Sequence, residues 1–310
     1  MKEIKLEWIE ALKFVGIIAV ILGHIASPLG TFIFSWHMPL FFIMAGFFIK
    51  VDLSVEQFIA KEFKRLIIPY FIFSGMALVL ETLKRILLHR EALDLVDSLV
   101  GVFIWMDMDA LIDSYAFVLW FLPALFFARL LTYLILKVVD RTAFQLLLVM
   151  SAFIVSFYLQ LPFAIDNALN AFVFVYVGYF LFKIDNNSYW PLVLLALIFV
   201  YYMNDFPVLN MSQKHYGSVV VNIAWAVACS YILISVIRKF NKIPNVITLW
   251  GSNTMLLFIL HPYTNNIAIV VIDIIGSGSW YFKLLLSIAF LQCVLLIKNK
   301  YHNRLLFKYV

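Results

Sequence analysis

Long apolar runs recur along almost the whole 310-residue chain, and they leave little choice of fold. Bounded by charge, Pro, Gly or Asn, they cover 9–26, 36–49, 66–88, 116–136, 143–160, 168–183, 189–204, 218–237, 250–272 and 279–297. A hydrocarbon core about 30 Å thick needs roughly 20 apolar residues per helix. Lipid also offers no partner for a free backbone N–H or C=O, so each run has to satisfy its own backbone as a helix. The spacing therefore predicts an all-α polytopic membrane protein of about ten spans. The second run is short and reads as tilted or re-entrant, and the charged, amphipathic stretch 52–65 reads as lying along the interface. With 65% hydrophobic residues and only 13% charged, against about 25% in soluble domains, the chain has too little charge to clothe a soluble surface. Disorder, coiled coil, a nucleic-acid-binding domain and a secreted disulfide scaffold are excluded. No repeat or long linker divides it, so residues 1–310 are expected to form one membrane domain.

The net charge of +5 belongs to loops that face the cytoplasm. With ten spans, sixteen Lys and Arg fall on the side of both termini, among them Lys2, Lys5, Lys61, Lys64, Arg65, Arg238, Arg304 and Lys308. Five fall on the other side (Lys84, Arg85, Arg90, Lys214 and Lys283), which instead carries Glu91, Asp94, Asp97, Asp107, Asp109 and Asp113. The positive-inside bias puts both termini in the cytoplasm. Lys2 and Lys5 ahead of an apolar run mimic a signal peptide, but charge continues to Lys13 and many spans follow, so an uncleaved first helix is expected. Cys229 and Cys293 lie in apolar stretches without a second ligand and read as small hydrophobes.

Function should sit where lipid ought to have excluded polarity. Lys13 and His24 are eleven residues apart, and eleven steps of 100° come within about 20° of three turns, so both occupy one helix face about 16 Å apart. Glu10 falls near the same face. Lys13 alone reads equally as a lysine snorkelling to the headgroups, and His24 alone as a helix-capping histidine before Ser27-Pro28. A second histidine, His37, follows across the short uncharged loop 27–35, at a similar depth. Two histidines without carboxylate or thiol make a poor metal site, and no metal is expected. Proton transfer suits imidazole better. Further along are Trp120, Arg129 inside the fourth run, Asn253 within Ser252-Asn253-Thr254, and His261 before Pro262, which frees backbone carbonyls in its helix. Arg129 reads either as a phosphate ligand or as half of a structural ion pair. Lys61, Lys64 and Arg65 suit phosphates and anionic lipid equally. The pattern is a cationic cytoplasmic entrance leading to histidines on the far side, which fits a ligand with a phosphate-rich head and a long neutral arm.

These residues carry a resemblance. Lys13, ten residues and then His24 are similar to the Arg/Lys-x10-His signature of the membrane acyltransferase family 3. His37-Met38-Pro39-Leu40-Phe41-Phe42, Arg65-Leu66-Ile67-Ile68-Pro69-Tyr70, Leu119-Trp120-Phe121-Leu122-Pro123 and Leu260-His261-Pro262-Tyr263 resemble its fucose 4-O-acetylase-like branch, spread in order over nearly the whole chain. The chain departs from the family in three places. Lys13 replaces the usual Arg, Ala45 stands where Ser is frequent, and Lys61 and Lys64 stand where paired arginines are common. The resemblance implies a multi-pass enzyme of a bacterial inner membrane. It would O-acetylate a glycan hydroxyl of surface polysaccharide, capsule or lipopolysaccharide, with cytoplasmic acetyl-CoA as co-substrate and no resident cofactor.

On that reading His24 is the general base, worth typically about 10²–10⁴-fold, with His37 or His261 orienting it or stabilising the oxyanion. An acetyl-histidine route is the variant. Lys13, Lys61, Lys64, Arg65 and Arg129 would hold the acyl-CoA, and Glu10, Trp120 and Asn253 would contact the acceptor. The rival is a transporter or flippase that carries a glycan or acyl donor without chemistry. It suits intramembrane polarity but lacks the inverted repeats such proteins often show.

Overall fold

The computed structural model describes residues 7–183, 189–276 and 278–300, with the backbone alone at Asn204. Lys2, Lys5, Arg304 and Lys308, on which part of the orientation count rests, lie outside them, as do both termini.

The described residues form an α-helical bundle. In chain order the helices are α1 (Glu7–Gly23), α2 (Gly30–Phe34), α3 (His37–Gly46), α4 (Val55–Glu62), α5 (Ile68–Leu87), α6 (Leu95–Val100) and α7 (Phe121–Val138). Then come α8 (Thr142–Val155), α9 (Ile165–Leu181), α10 (Trp190–Asn204), α11 (Val219–Ile237), α12 (Asn245–Ser252), α13 (Thr254–Ile275) and α14 (Trp280–Lys300). Between α10 and α11 an antiparallel hairpin pairs β1 (Leu209–Asn210) with β2 (His215–Tyr216), Leu209 opposite Tyr216. Six helical stretches are long and apolar enough to cross a membrane: Val55–Leu87, Tyr115–Val138, Pro162–Leu181, Val219–Ile237, Thr254–Ile275 and Trp280–Lys300. Gly30–Gly46, Leu95–Trp105, Thr142–Val155 and Trp190–Met203 are apolar but shorter. This is a polytopic all-α membrane protein. Large hydrophobic side chains stand exposed along α8, α10 and α14, including Leu147, Phe199 and Leu296, as a surface solvated by lipid requires.

The structure departs from the sequence reading at five places. The stretch 52–65 is not a separate interfacial helix. Ser54 caps α4 by accepting from the Gln57 N–H (3.2 Å), and the helix then runs on through a π turn at Phe63–Ile67 into α5. Pro69 has no N–H to bond the carbonyl four residues back. The chain absorbs that loss by widening: Ile68 N–H donates to the Phe63 carbonyl, five residues earlier. The run 250–272 breaks at Asn253, which separates α12 from α13. The loop 27–35 contains the short α2, and 95–105 is helical although it lies outside the ten apolar runs. Finally, α1 ends at Gly23, so His24 sits just past the helix, its N–H still donating to the Val20 carbonyl (3.2 Å).

Close backbone approach sets the frame. Where α3 crosses α9, a Cβ on Gly178 would meet the Ile43 carbonyl, and one on Gly46 the Val175 carbonyl. Small residues permit such contacts, and membrane helices gain van der Waals packing from them. Gly251 does the same for α12 against the Glu10 carbonyl of α1. Polar side chains lock the next layer. Asn265 of α13 donates to the Ile21 carbonyl of α1 (3.0 Å) and accepts from Ser287 of α14 (2.6 Å).

Candidate active site

Two chambers open among these helices. The first, about 220 Å³, lies beside the end of α1 and is lined by His24, His37, Trp120, Phe258 and, from the hairpin, Asn210 and Ser212. His24 is exposed to it, whereas His37 and His261 are buried at 1% and 0%. The His24 and His261 rings lie 5.1 Å apart, centre to centre, and Phe34 packs edge-on against both His24 (5.7 Å) and His37 (5.1 Å).

The backbone fixes the tautomers of the two buried rings. His37 Nδ1 is 2.8 Å from the Ile33 carbonyl and His261 Nδ1 is 2.6 Å from the Phe258 carbonyl. A carbonyl oxygen can only accept, so each Nδ1 carries the proton and each Nε2 keeps its lone pair. At His261 the reason lies in the next residue. A helix would normally spend the Phe258 carbonyl on the N–H of residue 262, but Pro262 has none, so the carbonyl is left for the imidazole. His261 Nε2 is buried with no hydrogen-bond partner among the described residues. An orphaned buried acceptor is costly and rare, and His24 is the titratable ring beside it.

The second chamber, about 270 Å³, is lined by Lys13, Arg65, Arg129, Ala45, Ser252 and Phe258, among others. Its charges are arranged around two carboxylates. Lys13 Nζ lies 3.3 Å from Glu10. Glu62, 1% exposed, takes Arg129 in a bidentate pair (Nε and Nη2, both 3.0 Å) and Arg65 at 2.7 Å. Arg129, also 1% exposed, gives a further N–H to the Ala45 carbonyl. Of the two readings open for Arg129, this geometry is the ion pair, placed within the chamber wall. Arg65 is half-exposed and its charge reaches the chamber.

The expected residues are thus partly gathered. His24, His37 and Trp120 line one chamber with His261 against its wall, and Lys13, Arg65 and Arg129 line the other. Lys61 and Lys64 are exposed and line neither. Glu10 serves Lys13 instead of a chamber wall, and Asn253 turns its amide to the Leu249 carbonyl (2.7 Å) beside the chamber-lining Ser252 and Thr254. No group of three or more His, Cys, Asp or Glu able to hold a metal lies among the described residues. Sequence reasoning missed Glu62, whose only local signal is an arginine three positions on. It also missed the hairpin, which is anchored over the histidine chamber by Asn167 to the Ser212 carbonyl (2.8 Å), Tyr216 to Asn170 (2.7 Å) and a Lys214–Asp166 ion pair.

Fold and site together define a membrane-embedded helical protein with a cationic chamber beside a histidine chamber. A family model described as an acyltransferase domain, that of acyltransferase family 3, matches residues 6–298, and the chain belongs to this family. It is a membrane acyltransferase, which sets aside the transporter reading. No curated protein and no solved structure gives a significant match.

Proposed function

We propose that this acyltransferase moves an acetyl group from cytoplasmic acetyl-CoA to a sugar hydroxyl of a surface polysaccharide, capsule or lipopolysaccharide. It would do so as one domain of about ten spans in a bacterial inner membrane, with both termini in the cytoplasm. The observation that carries the reading is the open His24 beside the unsatisfied Nε2 of His261. A ring N–H of His24 donated to that lone pair would leave the opposite nitrogen of His24 as a base facing the chamber. The acceptor hydroxyl gives its proton to this nitrogen as its oxygen attacks the thioester carbonyl. The C–O bond forms, the C–S bond breaks, and His24 returns the proton to the departing thiolate. His261, held through Nδ1, orients the base, and His37 lines the same chamber with its Nε2 lone pair free to accept from the acceptor.

The cationic chamber takes the donor. A volume of about 270 Å³ suits the pantetheine arm better than the whole cofactor, so the phosphates rest at its mouth on Lys13 and Arg65, with Lys61 and Lys64 on the nearby surface. Arg129 acts through Glu62, fixing the carboxylate that aims Arg65. Glu10 holds Lys13 in the same way, while Trp120 offers an aromatic wall to the acceptor. The test is purified protein in detergent with labelled acetyl-CoA and a panel of bacterial surface glycans. Label should pass to a glycan in alkali-labile ester linkage. Label left wholly in acetyl-CoA, with protein shown to be folded, would contradict the proposal.

A further inference from the structure

Among the described residues, Phe258 is the only one that lines both chambers. Its side chain is 7% exposed and sits between the Phe121 ring at 5.4 Å and the His261 ring at 5.6 Å. Its backbone is pinned, because its carbonyl is the one that His261 Nδ1 binds. The phenyl ring is therefore the part of this wall that can yield, and the backbone is the part that cannot. If the phosphates belong to the cationic chamber and the base to the histidine chamber, the donor's arm has to bring its thioester past this ring. The acyl group then lies against the ring within a chamber of about 220 Å³ that also has to admit the acceptor hydroxyl.

We propose that Phe258 is a specificity-determining residue, whose ring at the passage between the chambers limits the transferred acyl group to a short one. The inference rests on the acyl-CoA reading above. It goes beyond that reading in assigning acyl-length selection to a residue that takes no part in proton transfer. One methylene too many in a well-packed apolar pocket is typically worth about tenfold or more in kcat/KM. Ala at this position joins the two chambers, and Leu opens the passage in part while keeping the wall apolar.

The experiment measures thiol release from acetyl-, propionyl- and butyryl-CoA in detergent, with water standing in for the acceptor, for wild type, Phe258→Ala and Phe258→Leu. The wild type should lose about tenfold or more with each added methylene. The butyryl-to-acetyl ratio of kcat/KM should rise by at least about tenfold in Phe258→Ala and by less in Phe258→Leu. A ratio within each variant does not depend on how much of the protein is folded. A ratio unchanged from wild type in both variants, at whatever absolute rate, would overturn the assignment and leave the acyl-CoA reading standing. No thiol release from any of the three donors by folded wild type would overturn that reading and the assignment with it.

Discussion

At the scale of single residues, the backbone dictates where the imidazole hydrogens sit. Pro262 costs α13 one helical hydrogen bond, and the Phe258 carbonyl it releases is what holds His261 with its proton on Nδ1. Pro262→Ala restores a competing N–H at residue 262. The predicted result is a fall in kcat of about tenfold, equivalent to about 1.4 kcal/mol, with KM for acetyl-CoA unchanged and a melting temperature no lower than wild type. A purely structural proline would show the reverse, a stability change with kcat intact. Lys13, His24, His37 and His261 are legible as candidates because lipid makes each polar residue in an apolar run conspicuous. A separation of eleven positions predicts one helix face for Lys13 and His24; in the structure His24 lies just past the end of α1, and the two residues line different chambers. Phe258 was not legible. One Phe among 31 in an apolar run carries no signal until the chambers on either side of it are seen.

At the scale of elements, Glu62 ties the end of α4 to α7 through Arg129, with both partners 1% exposed. Removing one member of such a pair leaves a buried charge alone, typically at about 3–5 kcal/mol. Glu62→Gln should therefore lower the melting temperature in detergent sharply, and the double variant Glu62→Leu/Arg129→Met should recover most of the loss. If the double variant is as unstable as the single one, the charge of Arg129 is not what Glu62 neutralises. The sequence made the apolar helices legible to within a few residues, as with α9 and α11, because hydrocarbon thickness sets their length. It misplaced what does not depend on that length. The π turn ahead of Pro69, the break at Asn253 and the roofing hairpin each follow from local hydrogen bonding or tertiary anchoring, neither of which alters hydropathy.

At the scale of the whole molecule, the bundle puts cations at one chamber, and next to Met108, which lines the other, stands Asp107. Burial, with Asp109 and Asp166 nearby, raises its carboxyl above the usual range, partly offset by the Ala110 N–H it accepts at 2.8 Å and by Lys214. A carboxyl that holds its proton more tightly folded than unfolded favours folding while protonated, and that contribution fades as pH rises through its folded-state pKa. Asp107→Asn should accordingly raise the melting temperature at pH 7 and change it little at pH 4, whereas equal shifts at both values would remove ionisation as the cause. The central claim, that the open histidine chamber performs the transfer on a donor held elsewhere, is a claim about separable functions. It is tested most directly by His24→Ala in detergent, with acetyl-CoA binding and label transfer measured on the same preparation. Donor affinity should stay close to wild type while transfer falls by about 10²–10⁴-fold. Transfer at the wild-type rate, with the donor bound as before, would contradict it.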